Sequence, residues 1–208
     1  MTGKFIVFEG GEGAGKTTQI ARTEQWLKQD YAADCPILIT REPGGTELGQ
    51  HIRHLLLEKG TPHARAELLL YAADRAQHVE ETLKPALAAG AIILCDRYTD
   101  STIAYQGYGR GLDLEFIQHL NFIATGGLES HLTLWLDVEV KVGLERAKQR
   151  GKRDRIEAND LDFHHRVYQG FAHLTEQNPH RITRINANSS PEIVHQQIRR
   201  KLRIVVGC

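Results

Sequence analysis

Apolar residues along this chain follow two periodicities. Short β-rich apolar runs predict strands: FIVF (5–8), ILIT (37–40), AIILC (91–95), LTLWLDV (132–138) and ITRIN (182–186). Between them the apolar positions move to helical spacing, with Ile20, Trp26 and Leu27 after Gly15 and a helical stretch over 64–89 whose only breaker is Pro85. Strand, helix, strand order without a two-residue hairpin signal implies an α/β fold, a parallel sheet flanked by helices on both faces. In open sheets of this kind ligands sit at the carboxyl ends of the strands, so chemistry is expected in the residues just after each apolar run.

The chain has 208 residues, 41% hydrophobic and 25% charged, which suits a single domain over 1–208. Lys+Arg and Asp+Glu each number 26, so no global field attracts nucleic acid or a membrane, and neither is expected as a partner. Cys35, Cys95 and Cys208 lie far apart and form no C-x-x-C pair, which fits a reducing, cytoplasmic setting. One local bias stands out: RAKQRGKRDR (146–155), read as a helix end running into a mobile basic loop. The pairs His51/His54 and His164/His165 lack soft ligands nearby and read as helix-surface residues.

The most specific signal follows the first strand. Gly10, Gly11, Glu12, Gly13, Ala14, Gly15, Lys16, Thr17 and Thr18 form a G-x4-G-K-T loop between a strand and a helix. Its glycines let backbone N–H groups converge on phosphate oxygens, and the helix turns its positive end toward them. Lys16 bridges the outer phosphates and the Thr17 hydroxyl is a ligand for Mg²⁺, so ATP and Mg²⁺ are the expected cofactors. A phosphate loop alone leaves GTPases, motors, regulatory ATPases and small-molecule kinases open. No N-K-x-D stretch is present to read guanine.

Other strand ends carry the complement of an acceptor site. CDRY places Asp96 to organise a Mg²⁺ shell and Arg97 to hold an anion, the bland alternative being an Asp–Arg ion pair closing the strand. TREPGGT supplies Arg41 and the bend at Pro43. Tyr71 and Arg75, four apart on a helix, set an aromatic plane beside a planar donor fork, and Thr102, Tyr105 and Gln106 add a ring, an amide and a hydroxyl. Arg75 has its own bland alternative, a surface salt bridge with Asp74 or Glu67.

The set FEGGEGAGKTT, TREPGGT, LLLYAADRAQH, CDRYTDSTIAYQG and RDRIE, in this order and spacing, resembles the thymidylate kinase family over Phe5 to about Arg166. The resemblance implies a five-stranded P-loop kinase fold with a mobile lid at about 146–158, transfer of the ATP γ-phosphate to dTMP, and a homodimer. It implies that Tyr71, where the family usually has phenylalanine, stacks on thymine. By the same resemblance Arg75 is expected to donate to thymine O4, Tyr105 to pack on the deoxyribose, and Thr102 and Gln106 to neighbour the base. It also implies that Glu12 meets the sugar 3′-hydroxyl and that Arg41 and Arg97 approach the acceptor phosphate. With Gly13 and Ala14 in the loop where some members carry arginine, the catalytic cation is expected in the lid: Arg155 in DRIE, with Arg150 and Arg153 as further candidates. A deoxynucleoside kinase and a nucleotide-gated binding module remain as alternatives, and comparing thymidine with dTMP separates the first of them.

Overall fold

A computed structural model, describing residues 3–31, 35–58, 61–149, 151 and 155–206, arranges the five apolar runs as one parallel sheet. The strands are β1 (Lys4–Glu9), β2 (Ile37–Arg41), β3 (Ile92–Asp96), β4 (Leu132–Asp137) and β5 (Ile182–Asn186), in the order β2-β3-β1-β4-β5. Each lies within a residue or so of its expected position. Phe5, Ile6, Val7 and Phe8 are all fully buried because both sheet faces are covered. Ile6 and Phe8 pack with Ile20 and Trp26 of helix α1 (Lys16–Trp26) and with Ile198 and Leu202 of a C-terminal helix. Phe5 and Val7 face the other way, onto Val79, Leu83 and Tyr98. This alternation is the period-two pattern of a strand read from its two sides.

The remaining helices are α2 (Glu47–Leu57), α3 (Ala64–His78), α4 (Lys84–Ala88), α5 (Thr99–Thr102), α6 (Leu114–Thr125), α7 (Val140–Gln149), α8 (Leu161–Gln177) and α9 (Pro191–Val206). Side chains of Thr46, Asp113 and Asp160 cap α2, α6 and α8 by accepting from Gly49 N, Phe116 N and Phe163 N. The expected helix over 64–89 is present but not uniform: α3 runs through π-type turns at Val79–Leu83 into α4, with Lys84 N bonded to Val79 O five residues back. A wider turn suits this place, since Pro85 at the start of α4 has no N–H to donate. A second π-type stretch, Ile103–Gly109, extends α5 and carries Tyr105 and Gln106. β1 lies between β3 and β4, so its carboxyl end is the point where the chain's crossovers change direction.

Candidate active site

A cleft of about 780 Å³ opens at that point. The loop after β1 forms its floor, from Glu12 to Thr18, with Thr17 and Thr18 exposed to it at the start of α1. Lys16 Nζ folds back onto Gly10 O (3.0 Å) and Gly11 O (3.1 Å). Burial and then the neighbouring Arg97 charge hold the Lys16 ammonium below its ordinary value. The loop is locked from behind by α7. A Cβ on Gly13 (φ 65°) would lie 2.0 Å from Gly143 O, and one on Gly143 would lie 2.3 Å from Glu12 O. The two glycines interlock, which accounts for the lack of a side chain at position 13.

Glu12, Arg97 and Tyr105 form a second unit. Glu12 Oε1 accepts from Arg97 Nη2 (3.0 Å) and Tyr105 OH (2.7 Å), and the guanidinium lies 4.8 Å from the centre of the Tyr105 ring. Burial raises the Glu12 carboxyl, but Arg97, Lys16 and the tyrosine hydroxyl outweigh it and the net shift is downward, so Glu12 is an anion. Arg97 adopts φ 73°, a left-handed backbone unusual for a side-chain-bearing residue, held by its N–H to Phe8 O (3.0 Å). Nη1 is braced by Gly10 O and Ser101 Oγ, both 3.1 Å. Behind it, buried Glu9 accepts from Tyr98 N (2.9 Å) and Ser101 N (3.0 Å), tying the end of β1 to the start of α5. Burial and then the Asp100 charge push the Glu9 carboxyl up to about 7.

Asp96, at the end of β3 opposite Phe8, lines the same cleft. Its Oδ1 is buried and has no hydrogen-bond partner among the described residues. A carboxylate oxygen left unpaired, in a cleft that the Thr17 hydroxyl also lines, fits an oxygen-liganded cation such as Mg²⁺.

A second group of residues, centred on Arg75, lines the same cleft. Arg75 is 2% exposed. It pairs with Glu42 (Nε to Oε2, 2.8 Å), not with Asp74 or Glu67, and also donates to Thr102 Oγ1 (3.0 Å), Asn121 Oδ1 (2.8 Å) and Tyr98 O (3.1 Å). Four of its five N–H groups are thereby fixed, which leaves one Nη2 hydrogen without a partner among the described residues. Tyr71, one turn earlier on α3, lines the cleft on the same wall, as do Thr102, Tyr105 and Gln106. Arg41 is exposed at the end of β2, and Pro43 O is held by Arg53 Nη1 (2.9 Å). Glu42 Oε1 also accepts from His78 Nδ1 (2.9 Å), and His78 Nε2 meets Thr40 Oγ1 (2.7 Å).

Asp74 holds this loop in place by accepting from Gly44 N (2.9 Å), while its Oδ2 is buried without a partner among the described residues. Burial, then the Glu42 charge, push its carboxyl from 3.8 up to about 6. The folded state therefore binds this proton more tightly than the unfolded chain. Stability from this group is present at acid pH, declines as pH rises from about 4 to about 6, and the loss of about 3 kcal/mol is complete above that. Asp74→Asn keeps the Gly44 bond and removes the titration. Thermal unfolding between pH 4 and pH 8 should show a flatter profile for the variant, with its advantage growing up to just above pH 6 and level from there to pH 8.

The carbonyls of Gly10 and Gly11 accept from Lys16 Nζ, and neither glycine lines the cleft. Arg155 is likewise not among the lining residues; it donates to Glu67 and to Leu56 O (2.9 Å). Arg150 and Arg153 lie outside the described residues. The residues that sequence reasoning missed are Glu9, Glu42 and Glu67, which organise the walls from beneath, and Arg53, which braces Pro43. Arg146, whose Nη1 donates to Ala187 O (3.1 Å), and Ser189 close the far end of the cleft beside the loop. His164 is buried at 6%, contrary to the surface reading, whereas His51, His54 and His165 are exposed. It falls on the inner face of α8 with Phe163 and Val167, a placement set by helical phase that the charge pattern did not reveal.

A phosphate cradle at the end of β1, opposed by cations and an aromatic wall with buried amide and guanidinium donors, defines a nucleotide kinase of the P-loop class. A sequence model of thymidylate kinase matches residues 8–198. A thymidylate kinase from Nostoc punctiforme is 57% identical over 208 residues, covering 98% of this chain and 97% of that protein. One from Synechococcus sp. (strain JA-2-3B'a(2-13)) is 60% identical over 188 residues, covering 90% and 88%. The crystal structure of thymidylate kinase from Ehrlichia chaffeensis superposes with a TM-score of 0.80 at 34% identity, covering 97% of this chain and 99% of that one. The chain belongs to the thymidylate kinase family.

Proposed function

We propose that the cleft transfers the γ-phosphate of ATP to dTMP, giving ADP and dTDP for dTTP synthesis, in a single cytoplasmic kinase domain. The observation that carries this reading is the pairing of two complete half-sites in one cleft: the phosphate loop on one side and the Tyr71–Arg75–Gln106 wall on the other. Thymine stacks on Tyr71 and receives the remaining Arg75 hydrogen at O4. The sugar lies on Tyr105 near Glu12, and the acceptor phosphate meets Arg41 and Arg97. Adenine leaves the cleft between Arg146 and the 187–191 turn.

A nucleoside monophosphate has a second phosphate pKa near ~6, so its attacking oxygen is largely ionised at neutral pH and needs no general base. The barrier is repulsion among phosphates, which Lys16, Arg41 and Arg97 offset while the loop N–H groups hold the donor in line. Thr17 and Asp96 would hold Mg²⁺, which when bound neutralises charge on the donor phosphate oxygens. The family resemblance calls for a further cation from the basic run 146–155, with Arg150 and Arg153 as candidates besides Arg155. No helix among the described residues is long and apolar enough to cross a membrane. A homodimer fits the apolar side chains that α2, α3 and α6 leave exposed, Leu48, Leu55, Leu69, Phe122 and Ile123, since α3 packs between the other two.

Base selectivity tests the acceptor wall. With dCMP a guanidinium hydrogen meets an amino group and one buried donor goes unpaired, so kcat/KM should fall by at least about a thousandfold relative to dTMP. With dUMP only a methyl is lost, and the expected drop is about 10- to 200-fold. ADP release measured with each acceptor checks both, and equal rates with dTMP and dCMP would refute the assignment of Arg75.

A further inference from the structure

Glu67 of α3 is 1% exposed and does not itself line the cleft. Its carboxylate accepts from Gln106 Nε2 (2.8 Å), from Arg155 Nη2, and more distantly from Arg110 Nε (3.4 Å) and Nη2 (3.5 Å). Arg155 Nε donates to Leu56 O (2.9 Å) near the end of α2. The chain of bonds then closes on itself. Arg110 Nη1 donates to Asn159 Oδ1 (2.9 Å), and Asn159 Nδ2 returns to Arg155 O (3.3 Å) and Ile156 O (2.8 Å).

Both ends of this circuit touch the acceptor side. Gln106 lines the cleft, and so do Ile156 and Glu157, the two residues directly after Arg155. Ile156 is buried with Tyr105 and Phe163. One buried carboxylate therefore bonds a side chain of the acceptor wall and the arginine that precedes two further cleft-lining residues.

We propose that Glu67 and Arg155 are a positioning pair for the acceptor nucleotide: Arg155 acts through Glu67, seating Ile156 and Glu157 over the base and sugar, and does not act on the transferring phosphate. The proposal rests on the dTMP reading of the cleft. Its electrostatic basis is that Arg110 sits at the outer limit of hydrogen bonding. Withdrawing Arg155 would leave a buried carboxylate without its close cation, which is strongly unfavourable.

Steady-state kinetics of Arg155→Ala, Arg155→Lys, Glu67→Gln and the Glu67→Gln/Arg155→Ala double variant, with dTMP and ATP varied separately, test it. Arg155→Ala should raise KM for dTMP by about tenfold or more while kcat and KM for ATP stay within about threefold. Glu67→Gln should do the same, and the double variant should be no worse than about twofold beyond the weaker single, because one contact has been removed. Arg155→Lys should recover most of the dTMP affinity. A collapse of kcat at steady KM would mark Arg155 as a phosphate ligand and overturn the proposal. So would multiplying effects in the double variant, or effects below threefold throughout. If Glu67→Gln does not fold, the Arg155→Ala and Arg155→Lys comparison decides alone. Wild-type enzyme that ignores dTMP would sink the acceptor reading itself, an outcome distinct from all of these.

Discussion

Arg97→Ala should lower kcat by about a thousandfold with a folded enzyme. The size follows from the geometry. Arg97 Nη2 lies 3.0 Å from Glu12 Oε1, so the guanidinium both attracts an incoming phosphate and cancels the carboxylate inside the phosphate loop. Without it, an acceptor phosphate approaching to about 4 Å from that carboxylate would feel about 4 kcal/mol of repulsion at an effective dielectric of 20, or about three decades of rate. Two further variants separate the causes. Arg97→Gly relieves the φ 73° backbone yet should lose the same activity, which assigns the loss to the side chain. Adding Glu12→Gln to Arg97→Ala should restore about tenfold or more, since the repelling charge is gone. A loss below tenfold in Arg97→Ala would place the acceptor phosphate elsewhere.

Gly13→Ala should cost both stability and nucleotide binding. The new Cβ would meet Gly143 O at 2.0 Å, and neither partner is a flexible side chain that can turn away. Left-handed backbone at alanine adds about 1–2 kcal/mol. The loop and α7 must separate, so the melting temperature should fall by at least about 5 °C and ATP affinity by at least about a hundredfold. Gly15→Ala is the control for melting temperature: it has φ 90° but nothing within 4 Å of its Cβ, so it carries the strain without the clash. Equal melting temperatures for the two variants would show that the interlock with Gly143 carries no weight.

The central strands β1, β3 and β4 were legible because both their faces are covered, which leaves uninterrupted apolar runs, whereas the partly exposed edge strands β2 and β5 were read from their β-branched residues. The phosphate loop was legible because its chemistry is local, nine consecutive residues between a strand and a helix. Arg75 was readable as a donor fork one turn from an aromatic ring but not in its setting. Its partners Glu42, Tyr98, Thr102 and Asn121 lie 23 to 46 residues away, and a sequence alone does not say which carboxylate meets which guanidinium. Glu67 shows the same limit more sharply. It entered the sequence reading only as an alternative partner for Arg75, eight residues along the same helix, whereas its cations come from Arg110 and Arg155, 43 and 88 residues on. The basic run 146–155 announced its charge but not the direction each arginine takes: Arg146 turns to Ala187 and Arg155 to Glu67.

The most direct test of the kinase assignment is transfer of γ-labelled phosphate from ATP, with Mg²⁺, to dTMP, set beside thymidine and a reaction without acceptor. The structure predicts labelled dTDP from dTMP, no labelled product from thymidine, whose neutral 5′-hydroxyl would require a base, and only slow release of free phosphate without acceptor. Label appearing on thymidine, or phosphate released equally fast with and without dTMP, would contradict the account.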